Sequence, residues 1–123
     1  MKSSLLPLQT ALYNRLSQHM TVYDEVKQGA AMPYVVLGED TATDAGTKLS
    51  PGMEITHTLH VWSDYRGMKE AKELINDITQ LLAVPLSVEG FKLHLARLDM
   101  IRTMRDPDGY RHGAVRYRFR IYE

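Results

Sequence analysis

Near the end of the chain, in RHGAVRYRFRIYE (Arg111–Glu123), Arg116, Arg118 and Arg120 occupy every second position, with Val115, Tyr117, Phe119 and Ile121 between and beyond them. Successive residues of a strand point to opposite faces. This spacing therefore sends four apolar side chains one way and three guanidinium groups, followed by Tyr122, the other. One face is core and the other basic. Such a row can grip phosphates, meet carboxylates on a neighbouring strand or subunit, or keep a sheet edge soluble.

Five histidines invite a metal, and His57 and His60 are the pair closest in sequence. Residues three apart on a strand face opposite sides, so these two do not converge on one ion. His57 shares the side of Ile55 and Leu59, where a lone His is expected as a hydrogen-bonded core residue. The lack of Cys removes thiolate metal sites, disulfides and Cys nucleophiles together. Asp40, Asp44, Asp64 and Ser63 are the candidates for acid–base or nucleophilic work, and each lies where turns and caps reward Asp or Ser. No nucleophile elbow, phosphate loop or dinucleotide fingerprint is present in the sequence. No catalytic, cofactor-binding or metal residue is expected. For stacking on single-stranded nucleic acid the available aromatics are Trp62, Tyr110 and Tyr122; Trp62, beside Ser63, is expected to close a strand end against the next helix.

Charge weighs on the arginine row. Fifteen Lys and Arg balance fifteen Asp and Glu over 123 residues, whereas a dedicated nucleic-acid module carries a basic excess. The balance is uneven: from Lys92 onward there are eight basic and four acidic residues. The length suits one domain with a single core. The start of the chain lacks the apolar run of a signal peptide, and no stretch approaches the roughly 18 apolar residues of a membrane span, so the protein is expected to be soluble and unprocessed.

Positioning falls to a small set of elements. Leu5, Leu8, Leu12, Leu16 and Met20 recur at helical spacing, with Ser4 as cap and Pro7 in the first turn. TVYDEV reads as a short strand, and YVVLGEDTATD as a longer one with a bulge at Gly38. Thr41 to Gly52 (TATDAGTKLSPG) holds one large apolar residue, Leu49, and is expected to be a long, mobile hairpin arm. MEITHTLHVW alternates as a strand. A second helix runs through Met68, Ala71, Leu74, Ile75, Ile78, Leu81 and Leu82 and stops before Pro85, with Glu70 and Glu73 near the favourable end of its dipole. In FKLHLARLDMIRTMR the apolar phase slips by one, predicting a bulge near Ala96 or Arg97. DPDG then turns the chain into the arginine strand. The order α-β-β-β-α-β-β predicts a single α+β domain: a mainly antiparallel sheet of about five strands with two helices packed on one face.

Three stretches, PYVVLGEDTATD, LHVWSDYRGMKEAKELINDI and RDPDGYRHGAVRYRFRIY, together resemble the tail-completion family of long-tailed bacteriophages and prophages, also called tail terminator or head–tail joining proteins. The resemblance runs from the helix around Leu12 to Tyr122, and the order and spacing of the stretches are more specific than any one of them. It implies one tail-completion-like domain over residues 1–123, assembling with copies of itself into a sixfold ring at the top of the tail tube. That ring stops tube growth and docks to the head connector. The implied partners are the ring itself, the tube protein and the connector protein, with no membrane and no specific nucleic acid, although DNA passes through the ring. The implied location is the virion tail at the head–tail junction, and the host cytoplasm during assembly. No enzyme activity or cofactor comes with the resemblance.

In such a ring Arg116, Arg118, Arg120 and Tyr122, with Thr41, Thr43, Asp44 and Lys48 of the arm, are the expected subunit-interface residues. A small nucleic-acid-binding module using the arginine face is the alternative, and steep salt dependence of duplex binding separates the two. A hydrolase is the third class, and only a measured activity would revive it.

Overall fold

A computed structural model describes residues 2–123. The first helix, α1 (Leu5–Leu16), turns Leu8, Leu12 and Leu16 inward, as its spacing dictates. Ser4 takes the N-cap position but makes no capping bond; its hydroxyl is buried without a partner, and Ser3 Oγ accepts instead from the Leu5 N–H at 3.3 Å. The TVYDEV run contracts to β1 (Val22–Tyr23), which pairs in parallel with β2 (Tyr34–Asp44). Then follow β3 (Gly52–Ser63), α2 (Lys69–Leu81), β4 (Lys92–Arg105) and β5 (Arg111–Tyr122). The five strands form one mixed sheet in the order β1-β2-β3-β5-β4, with every pairing except β1–β2 antiparallel. The expected α+β domain is the one observed.

Both helices cover the same sheet face, closing a core around Val35, Ile55, Leu59, Val115 and Phe119. Gly113 shows how closely α2 is seated: a Cβ there would lie 2.8 Å from Ile75 Cδ1, so a larger residue requires the Ile75 side chain to turn aside. The alternation Val115, Tyr117, Phe119, Ile121 is buried throughout, as the sequence pattern requires.

Register shifts re-aim side chains at three places. In β2 the pairing slips between Leu37 and Asp40, confirming the bulge at Gly38, where an added Cβ would meet Thr58 O at 2.5 Å. In β4 the expected single bulge near Ala96 or Arg97 is replaced by two, between Leu93 and Leu95 and between Leu98 and Met100. One bulge suffices to explain the one-residue phase slip in sequence; the second leaves no periodic trace because the C-terminal half of β4 is exposed on both sides. The DPDG turn forms as expected, with Gly109 at φ 89° and its N–H donating to Asp106 O at 3.0 Å.

The hairpin arm is shorter and better tied than its composition suggests. Thr41, Ala42, Thr43 and Asp44 are laddered to Thr56, Ile55, Glu54 and Met53, so they belong to β2. Only residues 45–51 form the turn, and there Thr47 N–H donates to Ser50 O at 2.9 Å and Glu123 N–H donates to Pro51 O at 3.0 Å. Cross-strand backbone bonds order a polar strand that has no apolar anchor of its own, a gain that composition does not reveal.

Candidate interaction surface

The sheet face turned away from the helices carries the arginine row. Cross-strand pairing sets Arg116, Arg118 and Arg120 of β5 beside Thr58, Thr56 and Glu54 of β3 on one side, and beside Met100, Arg97 and Leu95 of β4 on the other. The guanidinium groups are held within the chain. Arg116 Nε donates to Asp99 Oδ2 at 2.6 Å, and Arg118 lies 3.4 Å from both Asp99 Oδ1 and Glu54 Oε2. Arg120 Nε completes the chain 3.4 Å from Glu54 Oε1. The charge-assisted bond from Arg116, reinforced by Arg118, holds the Asp99 carboxyl below the usual carboxylate range. Of the three uses open to the row, pairing with carboxylates on neighbouring strands is realised within the chain itself.

A second cluster continues this face toward the start of β5. His60 Nε2 meets Glu39 Oε1 at 2.7 Å, and its Nδ1 meets His112 Nε2 at 2.7 Å. Trp62 stacks on His112 with ring centroids 4.0 Å apart and planes 6° from parallel. Trp62 thus lies on the open face, not against α2 as expected, because β3 alternation gives the helix side to Val61 and Ser63 instead. Burial, and then the neighbouring His60, push the His112 imidazole below its ordinary value, whereas the bond from His60 lowers Glu39.

His57 and His60 point to opposite faces, as predicted. His57 is 2% exposed and its Nδ1 bonds Asp40 Oδ1, while its Nε2 is buried without a partner. Asp40 is therefore the partner of a core histidine. Ser63 donates to Glu70 Oε1 at 2.7 Å and accepts from the Tyr65 N–H at 3.1 Å, joining the end of β3 to the first turn of α2. Asp64 lies in the same connection, and Tyr110 is exposed in the β4–β5 turn. Among the described residues no group of three or more His, Cys, Asp or Glu is arranged to hold a metal ion, and no helix is long and apolar enough to cross a membrane.

The other expected interface residues fall around one end of the sheet. Tyr122 donates to Ala45 O at 3.3 Å, tying β5 to the β2–β3 turn. Thr41 shares a hydroxyl–hydroxyl bond with Thr56, Asp44 Oδ1 accepts from the Gly46 N–H at 2.9 Å, and Thr43 and Lys48 are exposed. Sequence reasoning did not single out Asp99, Glu54, Glu39 or His112. Both carboxylates were accessible to it by alternation, Glu54 beside Ile55 and Asp99 between Leu98 and Met100; which arginine each one meets depends on ladder register and was not.

Fold and face together define a class: a small α+β domain with one side covered by helices and the other an open, charge-paired sheet. The chain belongs to the tail completion protein gp17 family, which it matches over residues 8–122. Tail completion protein gp17 of Bacillus phage SPP1 is 31% identical over 123 residues, covering 93% of this chain and 91% of that protein. The solved structure of bacteriophage SPP1 gp17 superimposes with a TM-score of 0.59 at 26% identity, over 93% of this chain and 88% of that one. A chain from the virion of a native gene transfer agent particle shares the fold with a TM-score of 0.88 over the whole of both chains, at 23% identity. This protein is a phage tail-completion protein.

Proposed function

We propose that the chain is the ring-forming subunit that ends the phage or prophage tail tube and joins the tail to the head connector. Its role is structural and not enzymatic. Six copies surround the channel through which DNA passes, and each copy contacts its neighbours, the tube protein below and the connector protein above. Arg116, Arg118, Arg120 and Tyr122, with Thr41, Thr43, Asp44 and Lys48, lie at or beside the subunit contacts.

The observation that carries this reading beyond the family is that each arginine of the row is already paired within the chain, to Asp99 or Glu54. A face read by phosphates keeps its guanidinium groups free of carboxylates, whereas a pre-paired face suits contact with protein and leaves DNA free to slide. The test is to withhold the chain during tail assembly and restore it. Tails assembled without it are expected to remain unjoined to heads, and purified protein is expected to restore joining. Normal, DNA-ejecting virions in its absence would remove the proposal. Tight binding to random duplex DNA that collapses as salt rises would replace it with the nucleic-acid reading.

A further inference from the structure

We propose that neighbouring copies join edge to edge, with the outer edge of β4 in one copy pairing antiparallel with the uncovered edge of β2 in the next. This inference rests on the ring reading and specifies the contact that closes it.

The sheet has two long edges without partners. β4 is an edge strand along its whole length, Lys92–Arg105. On the other side β1 covers only Val35 and Val36, leaving β2 uncovered from Leu37 to Asp44. Such edges present unpaired backbone groups and are templates for another strand. Exposed apolar side chains mark the β4 edge: Leu98, Met100 and Ile101 are each at least 40% exposed.

Charge and direction select the partner. β2 carries Glu39, Asp40 and Asp44 and no basic residue, whereas β4 carries Lys92, Arg97, Arg102 and Arg105 against Asp99 alone. Two β4 edges facing each other set basic strand against basic strand, and two β2 edges set acidic against acidic, so both two-fold arrangements are disfavoured. The head-to-tail arrangement sets the basic strand against the acidic one: Arg97 lies in the stretch level with uncovered β2, where Asp99 is already held by Arg116 and Arg118, and Lys92 and Arg102 flank that stretch. The ladders also make β2 and β4 run in opposite senses. Rotation about an axis along the strands preserves those senses and brings β4 of one copy antiparallel to β2 of the next. The heights agree: Asp44 is level, through Met53 and Ile121, with Leu93, and Leu37 is level, through Leu59 and Val115, with Ile101.

Two complementary variants test the pairing. Arg97→Glu with Arg102→Glu makes the β4 edge acidic; Glu39→Lys with Asp44→Lys makes the β2 edge basic. All four positions are exposed, and Glu39→Lys with Thr43→Lys substitutes if the turn at Asp44 suffers. Each variant alone is expected to melt close to the wild type but to associate about tenfold or more weakly and leave tail tubes without rings in electron micrographs. An equimolar mixture is expected to restore rings, because every junction then matches. Rings formed by either variant alone as readily as by the wild type, or no restoration on mixing, would overturn the edge pairing while leaving the ring intact. Absence of rings on tubes completed by the wild-type chain would instead remove the ring reading itself.

Discussion

Asp99 accepts a bond from Arg116 Nε at 2.6 Å and lies 3.4 Å from Arg118, so one carboxylate on β4 holds two of the three arginines that β5 presents. Asp99 follows Arg97, the cross-strand neighbour of Arg118, by two residues, so alternation gives its carboxylate the arginine face, and the slip between Leu98 and Met100 adds Met100 to that face beside Arg116. The open face is therefore a connected network from Arg116 through Asp99, Arg118 and Glu54 to Arg120.

The two faces of β5 are expected to respond differently to mutation. Phe119 is fully buried, and Phe119→Ala should cost about 3–5 kcal/mol through lost burial and the cavity left behind. Arg118→Gln removes two partly exposed ion pairs of about 0–1 kcal/mol each and should cost no more than about 2 kcal/mol. Arg118→Glu is a harsher change than the pattern alone suggests, because it sets a third carboxylate beside Asp99 and Glu54. Denaturant midpoints of the three variants check the ranking.

Asp40 is expected to matter through His57. Asp40→Ala leaves the buried Nδ1 of His57 without its partner, in a ring whose Nε2 already lacks one, and should cost about 1–3 kcal/mol. Asp40→Asn keeps an acceptor oxygen within reach and should recover part of that loss. An Asp40→Ala protein as stable as the wild type in urea titration would show that the bond contributes nothing.

His112 predicts a pH dependence of defined sign. Its folded value lies below the ordinary 6.5, through burial first and the adjacent His60 second, so the unfolded chain takes the proton at higher pH than the folded one. The stability contributed by the neutral ring is fully present above about pH 6.5 and is lost as pH falls through the lowered folded value. NMR titration should show the His112 ring protonating below an unstructured histidine peptide, and His60→Ala should move it part of the way back.

Hydrogen exchange along the β2–β3 hairpin should divide at Asp44. The strand residues bonded across to Met53–Thr56 are expected to exchange slowly, and the exposed turn around Lys48 and Leu49 quickly, even in a free subunit. Uniformly fast exchange from Thr41 to Gly52 would restore the fully mobile arm that composition suggests.

Local chemistry in the sequence determined the element order, the two helices on one face, the inward row Val115–Ile121, the separation of His57 from His60 and the DPDG turn. Each follows from a period of 2 or 3.6, or from a turn residue, and needs only near neighbours. The three stretches that carry the family resemblance lie within those same elements. Tertiary structure alone decided the rest: that Asp99 and Glu54 pair with the arginines, that Trp62 stacks on His112, that Asp40 serves His57, and that Thr41–Asp44 are strand. Those partners are 9 to 66 residues apart in the chain, and they meet only because ladder register brings them together. A one-residue change of register exchanges the two faces of a strand, so contacts of this kind cannot be read from any one segment.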